Sequence, residues 1–210
     1  MSRWGRVLVA LGVMVWSVLA TALEARLDDS RLRASFQMQA LPVWCWAASV
    51  QMALRYYGID IDQPTLIKHT FGPLPPVTGD FIADTQRLNQ VFYWKGRRYI
   101  ISASSSPVNG NPLLPSPWAI TPEAIVNHLK RGRPLVLGYA SAQYSLHTVL
   151  LTGVDYSLNA TGHVQLRSLR VVDPYPYNQA HVDHGGVIDY SDGQLPGPIV
   201  AVWQLDITAE

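Results

Sequence analysis

Cysteine is almost missing from this chain, and one residue of that type, Cys45, cannot close an internal disulfide. A cross-linked scaffold is therefore excluded. Charge is also scarce, at 15% of residues, and its formal balance is only +1. No basic patch speaks for nucleic acid or for an anionic membrane surface. There is no internal repeat, which excludes solenoid and propeller folds. No pair of His/Cys clusters with ligand spacing is present, so no metal site or other cofactor is expected. The hydrophobic share of 48% over 210 residues is that of a globular chain with a sizeable core.

The one uncharged apolar run lies at the start. Arg3 and Arg6 precede Val7 to Leu19, and Ala20-Thr21-Ala22 follows with small residues at the two positions a signal peptidase reads. Residues 1–22 are expected to be a secretory signal peptide, cleaved after Ala22, with one domain over 23–210. Without Arg3 and Arg6, the 16 basic residues fall by two against 15 acidic ones, for a formal charge of −1. The expected location is outside the bacterial cytoplasm, periplasmic or secreted, with no stable membrane association once the leader is gone. Export makes a lone thiol informative, because it is a liability unless buried or used.

What is present falls into a helical first half and a strand-rich second half. Trp46, Ala47, Val50, Ala53, Leu54 and Tyr57 recur at helical spacing over 44–57, and Gly58 suits the C-terminal end. A second helix is expected over Asp62 to Phe71 and a third from about Asp80 to Gln90. A hairpin is expected from Val91–Trp94 and Arg97–Ser102 around Lys95-Gly96. Residues 73–78 and 103–118 read as loops. Thr121-Pro122-Glu123 opens a further helix that ends near Gly132. Strands are expected over Leu135–Tyr139, Thr148–Tyr156, Val164–Val172 and Ile199–Ile207, with a long loop from Pro174 to Pro198. The inferred class is α+β, with helices first and an antiparallel sheet packed on them.

Cys45 falls in the first turn of the 44–57 helix, where free N–H groups and the helix dipole favour a thiolate. Trp44 and Trp46 flank it as candidate cleft walls, and Ala47 and Ala48 allow close packing behind the sulfur. Gln39, six residues earlier, can complete an oxyanion hole with the Cys45 N–H; Gln37 competes at a different spacing. A thiol nucleophile also needs a base and an orienter. His147 opens an apolar strand, and Asp173 closes the next one before Pro174 and Tyr175, a further candidate for the cleft lining. Antiparallel neighbours bring those two ends together. Asp155 lies at the other end of the His147 strand and is the poorer orienter. As alternatives, Asp173 starts a turn with Pro174, and His147 is a hydrogen-bonded core histidine. His181-Val-Asp183-His184 resembles half a metal-binding motif, but Gln179 stands where a first histidine would be.

The run from Gln39 to Ser49, continuing to Tyr56-Tyr57-Gly58, resembles the active-site helix of papain-like cysteine peptidases. It is similar in particular to bacterial branches with a Trp-Cys-Trp-Ala-Ala core, which include effector proteases and bacteriocin leader-processing peptidases. The His147 strand and the Asp173-Pro174 strand end resemble the same group. Val43 departs from it, since a polar capping residue is expected there. The resemblance implies a papain-like α+β fold and a cysteine-type peptidase acting on a peptide or protein, with Cys45, His147 and Asp173 as the triad and Gln39 as oxyanion donor. An amidase, deamidase or acyltransferase would use the same thioester, and a non-catalytic binding module would keep only the fold.

Overall fold

A computed structural model of the chain describes residues 22–72, 87–107, 120–140, 146–191 and 197–210. The expected leader, apart from Ala22, lies outside the described residues, as do the 73–78 loop and most of the helix expected over Asp80–Gln90.

The helix expected over 44–57 spans Cys45–Tyr56, and Gly58 ends it with a φ of 86°. Every residue from Cys45 to Leu54 is buried. The helix is thus enclosed all round instead of resting one stripe on a core. Ala47, Ala48 and Ala53 have no exposed area and let neighbours approach closely. Numbered in chain order, it is α2. It packs between α1 (Asp29–Ser35), α3 (Gln63–Phe71) and the sheet. Asp62 caps α3 by accepting from Thr65 N–H at 2.7 Å. Thr121 caps α4 (Pro122–Lys130) in the same way through Ala124 N–H.

Among the described residues the sheet has eight strands and is antiparallel throughout. The strands are β1 (Leu23–Arg26), β2 (Gln90–Trp94), β3 (Arg97–Pro107), β4 (Leu135–Tyr139), β5 (His147–Leu158), β6 (Val164–Val172), β7 (Val187–Ser191) and β8 (Ile199–Ala209). Their order is β2-β3-β8-β4-β5-β6-β7, with β1 added beside the far half of β5. The helical first half and the antiparallel sheet make an α+β architecture. The β2–β3 turn carries positive φ at both Lys95 (48°) and Gly96 (76°), as a two-residue hairpin of right-handed twist requires.

Two expectations need correction. Residues 103–107 are strand, because β3 pairs with β8 as far as Pro107 opposite Ala201. The long partner strand outweighs the weak β-propensity of the serines. The segment 174–198 is also not one loop. It contains α5 (Gln179–Asp183) and β7, which pairs with β6 at the sheet edge. Neither β1 nor α1 was expected; β1 is held by pairing with β5, and Asp28 caps α1 by accepting from Arg31 N–H.

The segment entering α2 is held by buried glutamines. Gln63 accepts from Ala40 N–H at 2.9 Å and donates to Met38 O at 2.8 Å and to Gln51 Oε1 at 3.0 Å. Gln51 in turn donates to Ile61 O. An apolar residue at position 63 would take a partner from the Ala40 N–H and the Met38 carbonyl, and would strand the buried Gln51 Oε1. Gln63→Leu is expected to lose about 2 kcal/mol of stability in urea unfolding.

Candidate active site

Cys45 is the first residue of α2 and is 8% exposed. Neither Val43 nor Trp44 has a side-chain oxygen to cap with, and the N-cap residue Trp44 makes no side-chain bond to the first turn. The positive end of the helix is thus uncapped at the sulfur. One turn along, Ser49 Oγ donates to Thr148 O at 3.1 Å. That bond fastens α2 to β5 beside His147.

His147 opens β5 and faces Tyr139 of β4 across the ladder, with their rings edge to face at 5.4 Å. β6 pairs Val172 with Leu150, so the next residue, Asp173, comes level with the start of β5. His147 Nε2 donates to Asp173 Oδ1 at 2.8 Å. Cys45 also interacts with the imidazole and favours its charged form. With Nε2 held by the carboxylate, Nδ1 is the nitrogen left for the thiol. Burial opposes the charged ring most strongly, but the interactions with Asp173 and Cys45 together outweigh it. They push the His147 pKa up to about 9.

Asp173 is 0% exposed. A carboxylate so buried needs donors, and three are present. Besides His147, Tyr175 N–H reaches Oδ1 at 2.8 Å and Tyr177 OH reaches Oδ2 at 3.0 Å. Its backbone is closed into a ring: Asp173 N–H donates to Gly186 O (2.8 Å), Gly186 N–H to His181 O (2.9 Å), and His181 Nε2 to Asp173 O (3.1 Å). Burial first, and then the Asp173 charge, raise the Tyr139 and Tyr190 phenols above their ordinary range.

Gln39 N–H donates to Pro174 O at 2.9 Å, which ties the cysteine loop to the Asp173 loop. Its side-chain Nε2 donates to Leu41 O (3.0 Å) and Pro42 O (2.9 Å), while Oε1 is buried without a partner among the described residues. Gln37 is spent on its neighbour, donating to Phe36 O. Asp155 stands at the other end of β5 with Arg26 and Ser168. Of the flanking aromatics, Trp44 is half-buried, whereas Trp46 turns into the core against Phe71 at 5.2 Å. Tyr175 is half-buried, with its ring 6.5 Å from His147. The His181-Val-Asp183-His184 side chains are all engaged locally, His184 with Ala180 O and Asp183 with Gln179.

Sequence reasoning did not place Tyr177, His181 or Gly186 around Asp173. The Gly185-Gly186 pair was the available signal. At Gly186, φ is 70°, and a Cβ would lie 2.5 Å from Phe36 Cε2 and 2.6 Å from the Asp173 carbonyl oxygen.

The sequence model of the Peptidase_C39 like family matches residues 31–186. That range runs from α1 to the turn before β7 and includes Cys45, His147 and Asp173. No curated protein matches the chain.

Two outcomes are expected. Gly186→Ala should lower the unfolding midpoint and shift the His147 ring signals in NMR spectra, because the new methyl meets the carbonyl of Asp173 itself. Trimming Phe36 to Ala as well should not restore either. The pH dependence has a definite sign. A histidine raised from 6.5 to about 9 on folding contributes stability that is complete below about 6.5 and is lost as pH rises through about 9. Urea unfolding of wild type and His147→Gln between pH 6 and 10 should show that difference shrinking upward.

Proposed function

Since the chain belongs to the Peptidase_C39 like family, a family of cysteine peptidases, we propose that it is an exported cysteine peptidase acting through Cys45, His147 and Asp173. The observation that carries the reading is the buried His147–Asp173 bond of 2.8 Å, with Cys45 interacting with the same imidazole.

The imidazolium stabilises the Cys45 thiolate, and the uncapped start of α2 adds its dipole. The sulfur attacks the carbonyl carbon of a peptide bond, and the oxygen takes up the negative charge. The Cys45 N–H and the Gln39 amide are the donors for that oxyanion; Gln39 releases Leu41 O or Pro42 O to serve there. His147 gives its proton to the leaving amine, and the amine departs, leaving a thioester. His147 then takes a proton from water, the resulting hydroxide displaces sulfur, and the acid product leaves. Asp173 fixes the ring with Nδ1 toward sulfur and stabilises its charged form. The substrate is a peptide or protein reached outside the bacterial cytoplasm.

Cys45→Ala should lower hydrolysis of a peptide library by at least ~10³-fold while leaving the melting temperature nearly unchanged. His147→Ala should be similarly inactive, and the double variant no worse than either, since the pair acts as a unit. Hydrolysis that survives Cys45→Ala would sink this reading. Added amines, with products read by mass spectrometry, test whether the thioester passes to water.

A further inference from the structure

Tyr177 is oriented against the usual habit of tyrosine. An amphipathic phenol ordinarily packs its ring and gives its hydroxyl to water. Here 44% of the residue is exposed, yet the hydroxyl points inward and donates to Asp173 Oδ2 at 3.0 Å. The ring is held in that pose by Tyr175, with centroids 4.9 Å apart, and by His181, edge to face at 5.1 Å. Its acceptor carboxylate is fully buried, and the other oxygen, Oδ1, is occupied by His147 Nε2 and Tyr175 N–H.

We propose that Tyr177 is a positioning residue that acts on His147 through Asp173. This rests on the Cys45–His147–Asp173 reading above. The phenol fixes the plane of the carboxylate by holding Oδ2 while Oδ1 faces the imidazole. It also draws part of the carboxylate charge toward itself. A carboxylate shared in this way grips the imidazolium less strongly. His147 then releases its proton more readily to the leaving amine, although it still carries one when Cys45 attacks. The groups that face His147 from neighbouring elements are Cys45 of α2, Tyr139 of β4, and Asp173 and Tyr175 of the segment after β6. Among these, Asp173 accepts the Tyr177 hydroxyl while Tyr175 meets the Tyr177 ring, so a change that removes the oxygen and keeps the ring separates the two routes.

The test is Tyr177→Phe, which removes one oxygen and keeps the ring. Alkylation of Cys45 by iodoacetamide from pH 4 to 11 reads the thiolate–imidazolium pair without any substrate. Its upper inflection is expected to move upward by about half a unit. With a peptide substrate, kcat should fall about tenfold with KM little changed. On an Asp173→Asn background, which leaves no buried charge to satisfy, adding Tyr177→Phe should change neither readout further. An unmoved or lowered inflection overturns the proposal. So does a full Tyr177→Phe effect in the Asn background, which would mean the phenol acts elsewhere. If wild type shows no Cys45-dependent hydrolysis but the inflection still rises in Tyr177→Phe, the peptidase reading fails and the coupling stands.

Discussion

A carboxylate with no solvent contact is the constraint around which this end of the molecule is organised. Asp173 sits one residue past β6, where the strand could simply have turned away. An isolated buried charge would be prohibitively unstable. His147 supplies a donor from β5, Tyr175 a backbone amide, and Tyr177 a hydroxyl. Each comes from a different kind of structure: a strand start, a turn and an aromatic side chain. The backbone ring through Gly186 and His181 keeps the aspartate from rotating out to water instead.

The cysteine side is held by a different chemistry. α2 is enclosed by apolar contacts, which are strong but not directional. Direction comes from a few polar fasteners: Ser49 to the Thr148 carbonyl, the Gln63–Gln51 pair under the entering segment, and Gln39 to Pro174. They sit where α2, the loop before it and the loop after β6 converge. A helix free to slide in its apolar sleeve would carry the thiol away from the imidazole; these fasteners oppose that.

The meeting of Cys45, His147 and Asp173 was legible in the sequence because each stands at a marked boundary. One begins a helix ended by Gly58, one begins an apolar strand, and one ends a strand before proline. Antiparallel pairing does the rest. The environment of Asp173 was not legible. α5 has five residues, too few for a helical period, and β7 is an edge strand without clean alternation. Gly185-Gly186 announces a turn, but which glycine must avoid a side chain depends on Phe36, 150 positions earlier in the chain. The same limit applies to Gln39, whose spacing from Cys45 is plain while its present partners, Leu41 and Pro42, follow from a local turn. The extension of β3 to Pro107 likewise depended on a partner strand about one hundred residues away.

The first described strand has a geometric consequence of its own. β1 runs antiparallel to β5 with Leu23 opposite Tyr156, whereas His147 lies at the other end of β5. Nine strand residues at about 3.3 Å each separate those ends by about 30 Å. The Ala22–Leu23 junction therefore sits at the pole of the molecule opposite the thiol. Once β1 is zipped into place, that peptide bond is beyond the reach of the same molecule's Cys45. Were the chain cut there, the cut would fall to a second molecule or to another enzyme.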